Sequence, residues 1–289
     1  MNNRIRTVSA NGLLLPALGQ GGWRIGDDAR NAHNEIAAIR RGVELGVSLI
    51  DTAEMYGEGK SEILIGHALA GIDRSSYTLV SKVYPHNAGR PNIFKSCNAS
   101  LGRLKTDYID LYLLHWRGDI PLCETVGCME ELVRSGKIKR WGVSNFDTPD
   151  MEELWDIPAG RNCAANQVLY NLGSRGIEYD LIPWIRERGL AVMAYCPLAQ
   201  AGRLKRMNRD FWQDGTISDI VRRHGITVEQ LLLAFVLRQD NTIAIPKSGS
   251  VSHVEQNAEA LRVSLSDEEW AEIDNVFWPP TEKMHLDIE

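Results

Sequence analysis

Short apolar runs recur along this chain, each ending on a small or polar residue. They end near Gly21, Asp51, Lys82, His115, Ser144, Gln167, Tyr195 and Lys247. Most neighbouring ends lie about thirty residues apart, the length of a strand, a helix and the return. The stretch from Tyr195 to Lys247 is longer and has room for more than one helix. Between the runs the apolar positions shift to a helical period. Glu35 to Leu45 places Ile36, Ile39 and Val43 on one face and stops at Gly46. Further helices are predicted over Ile93 to Leu104, Glu124 to Val133 and Ile177 to Glu187. Four more follow: Ile217 to Arg223, Val228 to Leu237, Val254 to Leu261 and Asp267 to Val276. The last begins with a capping box, Ser266 answered by Glu269. Ahead of all this, Thr7–Ser9 and Leu13–Leu15 flank Asn11-Gly12, a strong hairpin signal.

Strands that are apolar throughout and alternate with helices imply a parallel sheet covered on its faces. Eight such units close a (β/α)8 TIM barrel, here with an N-terminal β-hairpin and extra helices near the C-terminus. No repeat, low-complexity stretch or linker divides the chain, so residues 1–289 are expected to be a single domain. A doubly wound dinucleotide fold competes weakly. Gly19-Gln20-Gly21-Gly22-Trp23-Arg24 begins like GxGxxG but fails at the third glycine. Gly57-Glu58-Gly59-Lys60-Ser61 lacks Walker spacing.

Composition narrows the partners. A net charge of −6 gives no reason to expect nucleic acid or an anionic membrane. No apolar run approaches the ~18 residues of a membrane span, and the first residues show no signal peptide. The five cysteines are odd in number and lack CxxC spacing. A cytoplasmic protein without a metal site is expected. Asn98-Ala99-Ser100 matches a glycosylation sequon but falls on a predicted helix, so it carries no weight.

Active sites on a barrel of this kind lie where the strands end. Asp51, Lys82 and His115 stand at three such ends, and Tyr56 follows Asp51 closely. Each alone has an ordinary structural explanation: a cap, a solvated lysine, a satisfied core histidine, a surface aromatic. Together at one rim they make a proton-transfer set. A free tyrosine titrates near pH ~10. Lys82 beside it is expected to lower that value by favouring the phenolate. Asp51 would hold Lys82 charged, and His115 would orient a carbonyl or share the proton.

The motif Asp51-Thr52-Ala53-x-x-Tyr56-Gly57, followed by Lys82 and His115, resembles the aldo-keto reductases. So do Gly142-Val143-Ser144-Asn145-Phe146, Asn166–Asn171, Ala194–Leu198, and Ile245–Ser248 with Gln256-Asn257. The resemblance implies NADPH (NADP+) as cofactor and Tyr56 as proton donor, supported by Lys82, Asp51 and His115. It implies that Ser144, Asn145 and Gln167 hold the nicotinamide carboxamide and that Tyr195 stacks on its ring. Leu198 would pass near the pyrophosphate. Lys247 and Ser248 would bind the 2′-phosphate, with Asn257 near adenine. Trp23 and Trp116 would line a pocket for a small carbonyl substrate. The chain departs from the family pattern at His253, where arginine is common, so the grip on a 2′-phosphate is expected to weaken. Gln256 replaces a usual glutamate and Cys196 a usual serine. Gly173–Asp180, Pro197–Leu204 and His253–Asn257 resemble enterobacterial members that reduce methylglyoxal. The implied activity is NADPH-dependent reduction of aldehydes, and of dicarbonyls or ketones, by a monomer. The alternative is a cofactor-binding regulatory subunit on the same fold, with incidental turnover.

Overall fold

The computed structural model describes residues 6–199, 203–204 and 209–289. The chain opens with the hairpin of β1 (Thr7–Ala10) and β2 (Leu13–Pro16). Its two turn residues, Asn11 and Gly12, both take the left-handed φ that this turn demands, 47° and 81°. The hairpin caps the N-terminal end of the barrel. Ala10 and Leu15 are fully buried beneath it. The Asn11 amide donates to Gly189 O at 3.2 Å, and its side chain donates to Cys163 O at 3.2 Å.

Eight parallel strands follow in one sheet. They are β3 (Gly19–Gly21), β4 (Leu49–Asp51), β5 (Thr78–Val83), β6 (Ile109–Leu114), β7 (Ile138–Ser144), β8 (Ala165–Leu169), β9 (Ala191–Tyr195) and β12 (Thr242–Ala244). A small separate pair, β10 (Arg203–Leu204) and β11 (Arg209–Asp210), lies after β9. Parallel bridges from Leu18 to Ala244 and from Gly21 to Lys247 join the two edges of the sheet. The barrel therefore closes and leaves no unpaired edge. Almost every strand residue is buried, because one side faces the barrel interior and the other faces the helices.

Helices run between the strands: α1 (Ala32–Leu45), α2 (Lys60–Ala68), α3 (Asn92–Leu104), α4 (Leu122–Arg134), α5 (Thr148–Asp156) and α6 (Leu181–Glu187). Between β9 and β12 come α7 (Gly215–His224) and α8 (Val228–Leu237). After β12 come α9 (Val251–Glu259) and α10 (Asp267–Val276). Gly46 ends α1 with φ 84°, and the capping box of α10 forms as its sequence indicates. Two predicted helices have different bounds from those expected. Residues 177–187 begin as a tight turn and become helical only at Leu181. The helix predicted over Val254–Leu261 starts earlier, at Val251 behind the Ser250 cap, and tightens to a 3-10 turn after Glu259. α2 and α5 lacked an individual prediction. α2 opens behind a run of left-handed residues rather than a side-chain cap. Part of the Pro197–Leu204 resemblance, Gln200–Gly202, lies outside the described residues.

Candidate active site

The C-terminal ends of β4, β5 and β6 bring the proton-transfer set together. Asp51 is the last residue of β4, and Lys82 lies near the end of β5. Both point inward and are buried, Asp51 with 2% and Lys82 with 0% of its surface exposed. Lys82 Nζ donates to Asp51 Oδ2 at 2.8 Å, to Thr52 O at 2.9 Å and to the Tyr56 hydroxyl at 3.1 Å. All three ammonium donors are thus used. The other Asp51 oxygen accepts from Gln167 Nε2 at 2.8 Å. His115 follows β6, and its ring stands 5.7 Å from that of Tyr56 at 70°.

The electrostatics correct one expectation. The Tyr56 phenol is not lowered; it is held above its ordinary pKa. Burial is the largest cause, and the Asp51 carboxylate adds to it, so together they outweigh the pull of Lys82. Lys82 pulls the phenol down more strongly than Asp51 pushes it up, but the cost of burying a phenolate exceeds that pull. Burial also works against the Lys82 charge, but Asp51 and the Tyr56 oxygen outweigh it and raise the ammonium's pKa. His115 is pushed down to about 3, by burial first and then by Lys82. Its imidazole is neutral at physiological pH, and Nδ1 is buried without a partner among the described residues. At neutral pH the site therefore holds a protonated phenol, a charged lysine and a neutral imidazole.

Aromatic rings wall the cleft above. Trp23 stands edge-on to Tyr56 at 5.0 Å and Trp116 lies 5.0 Å from His115. They are 48% and 37% exposed, so each presents a face to solvent. Tyr84 extends this wall, 5.9 Å from Trp116. It lies two residues beyond Lys82, so strand alternation points it to the same side. That was the available sequence signal.

The residues expected at the cofactor line the rest of the rim. Ser144 ends β7, and Asn145 follows with a left-handed φ of 59°. That backbone aims its side chain across the barrel mouth. Asn145 Nδ2 donates to His115 O at 3.2 Å, and its Oδ1 accepts from the Tyr195 hydroxyl at 2.9 Å. Tyr195 ends β9 with its ring half-buried, and Leu198 packs partly against the core. Lys247 is exposed beyond β12, while Ser248 is buried and donates to Ser250 O at 3.2 Å. Ser250 caps α9, accepting from the His253 amide at 3.4 Å. His253 is exposed on the first turn of α9, and Asn257 sits one turn further on, buried.

One contributor escaped sequence reasoning. The chain after α10 returns over the same face. Lys283 pairs with Asp180 at 2.8 Å, and Ser174 donates to Asp287. The Glu289 amide reaches the Tyr195 hydroxyl at 3.4 Å, and Cys196 Sγ donates to Glu289 Oε2 at 3.2 Å. Burial, aided by that carboxylate, pushes the Cys196 thiol up to about 12. The Gly173–Asp180 segment anchors this return. Buried Arg175 holds Glu178 at 2.8 Å and Asp274 of α10 at 2.8 Å.

Residues 17–277 match the Aldo/keto reductase family. The chain belongs to that family. It is 52% identical over 274 residues to methylglyoxal reductase YeaE of Escherichia coli K12, covering 95% of each chain. It is 29% identical to the glyoxal reductase of Bacillus subtilis, covering 91% of this chain and 90% of that one. A crystal structure of a Klebsiella pneumoniae aldo-keto reductase in complex with NADPH superposes with a TM-score of 0.95 at 52% identity, covering 99% of both chains. The barrel and the aldo-keto reductase resemblance are thereby borne out.

Proposed function

We propose that this reductase converts aldehydes, and dicarbonyls such as methylglyoxal, to alcohols with NADPH, using Tyr56 as the proton donor. The observation that carries it is the Tyr56 hydroxyl, 3.1 Å from a fully buried ammonium and facing an aromatic cleft. The relatives reported above, two reductases of α-oxoaldehydes and one NADPH complex, support the substrate class and the cofactor.

The residues present fit the cofactor. Exposed Lys247 and the positive end of α9 suit a phosphate. Ser144, Asn145 and Gln167 offer amide and hydroxyl groups at the height of the tetrad, and Tyr195 offers a half-buried ring face. When bound, the reduced nicotinamide supplies a hydride to the carbonyl carbon. The chain's own residues do the rest. Neutral His115 donates a hydrogen bond that orients the carbonyl oxygen beside Tyr56. Tyr56 gives that oxygen its proton. Lys82 stabilises the phenolate left behind until solvent reprotonates it, and Asp51 keeps the ammonium charged and aimed. The high pKa of Tyr56 keeps its proton in place at neutral pH; transfer becomes favourable only as charge develops on the carbonyl oxygen.

Every strand that carries this set belongs to one barrel, which supports a single reductase domain over residues 1–289. The five cysteines are free, which supports a reducing, cytoplasmic setting. Among the described residues no helix is long and apolar enough to cross a membrane. The test is a carbonyl panel, with methylglyoxal and benzaldehyde, followed at the NADPH absorbance. Steady consumption with these substrates is expected. Cofactor binding without turnover on any carbonyl would overturn the reading in favour of a regulatory subunit.

A further inference from the structure

Tyr56 sits on an unusual piece of backbone. The three residues after it, Gly57, Glu58 and Gly59, all have left-handed φ values of 57°, 55° and 88°. Glu58 is not a glycine, so this conformation is costly and must be held from outside. One contact does so from below. A Cβ on Gly59 would lie 2.7 Å from Arg103 Cδ and 2.8 Å from its Nε, so the arginine stem lies directly against the turn. Arg103 comes from α3, and its Nε donates to Glu62 Oε2 at 2.6 Å. Glu62, on α2, has 0% of its side chain exposed. Its other oxygen accepts from Ser81 Oγ at 2.6 Å. Ser81 precedes Lys82 on β5 and faces the helices while Lys82 faces the barrel.

We propose that Glu62 and Arg103 are positioning residues for proton transfer. They form a clamp, buried at Glu62 and partly exposed at Arg103, that sets the Tyr56 turn and the Lys82 strand at one fixed separation. A buried carboxylate is retained here against its desolvation cost because it ties the turn and the strand to one point. Neither residue touches substrate. Both act through the 3.1 Å contact between Lys82 and Tyr56. This rests on Tyr56 being the proton donor.

The experiment is a double-mutant cycle on single-turnover rates. Arg103→Met keeps the stem's bulk but frees Glu62 from its partner. It should lower the rate by roughly 10–10²-fold, the scale of an ångström-sized misplacement. NADPH affinity, read by fluorescence quenching, should stay within about twofold. The solvent isotope effect should rise, because proton transfer becomes limiting. Arg103→Lys should recover part of the rate. In a Tyr56→Phe background, Arg103→Met should change the residual rate by less than about twofold, since the group it positions is gone. An equal loss in both backgrounds would overturn the proposal. So would a lowered Tm with an unchanged rate per NADPH-binding site. If Arg103→Met does not fold, Ser81→Ala removes one hydrogen bond, leaves the ion pair intact, and gives the same comparison. Tyr56→Phe alone reports on the proton-donor assignment, so failure of that reading is seen separately.

Discussion

Two charged regions share the mouth of this barrel and are built in opposite ways. At the tetrad, a lysine and an aspartate are fully buried, and all the lysine donors are satisfied inside the protein. Along the start of α9, Lys247 and His253 are exposed. The first region has its charges fixed before substrate arrives. Low local dielectric makes each contact strong, and nothing reorganises during the reaction. In the proposed function the second region meets the cofactor's phosphate from solution and releases it again. Exposed charges do that at lower strength, with screening by salt. Catalysis needs preorganisation and binding needs reversibility, and the burial of each region follows its task.

The comparison breaks most sharply at Tyr56. Tyr56→Phe should lower kcat by roughly 10²–10⁴-fold, the usual range for general acid catalysis, with NADPH affinity unchanged. Near-native turnover would remove the acid from this site. Next is Lys82→Met, which should cost kcat comparably and also destabilise the fold. It leaves the buried Asp51 carboxylate unpaired, a penalty of about 3–5 kcal/mol. Adding Asp51→Asn should restore much of the stability, read by denaturant melts, without restoring kcat. If both recover together, the pair serves only the fold.

The exposed region should respond differently. Lys247→Met should raise the Kd for NADPH by roughly two- to fivefold, leave that for NADH nearly unchanged, and flatten the salt dependence of NADPH binding. A large loss of kcat instead would mean that the two regions are not separable. The smallest effect is in pH. The imidazole of His115 is pushed down to about 3 and the Tyr56 phenol is raised, so kcat should stay flat between pH 6 and 8. The preference for NADPH over NADH, as a ratio of kcat/KM, should be larger in His253→Arg than in the native protein, because arginine offers the 2′-phosphate a forked, permanently charged donor. Identical ratios in both proteins would mean that His253 does not meet the 2′-phosphate.

Much of the site was legible because barrel strands end in register. Asp51, Lys82 and His115 could be placed on one rim from spacing alone, and the structure joins Asp51 to Lys82 at 2.8 Å. What misled was a pairwise argument. Lys82 next to Tyr56 implied a lowered phenol, but the sign depends on how deep the pair lies, and burial outweighs the lysine. Gln167 shows the same limit. Beside the cofactor contact its resemblance implies, its Nε2 donates to Asp51, a partner more than a hundred residues away that no spacing marked. The return of the chain over Tyr195 has no helical or strand period, so nothing in its pattern marked it.

The sequence by itself determined the alternation of strand and helix, the closing hairpin, the capped helices and which proton-carrying side chains stand at the strand ends. These follow from local rules: side-chain period, turn chemistry and which residues can carry a proton. Tertiary structure decided the protonation states, the left-handed turn that presents Tyr56, the clamp of Glu62 and Arg103 beneath it, and the tail that reaches Glu289 to Cys196. Those properties depend on burial and on partners distant along the chain. Desolvation and Coulomb energies are set by surroundings in space, which spacing along a sequence does not encode.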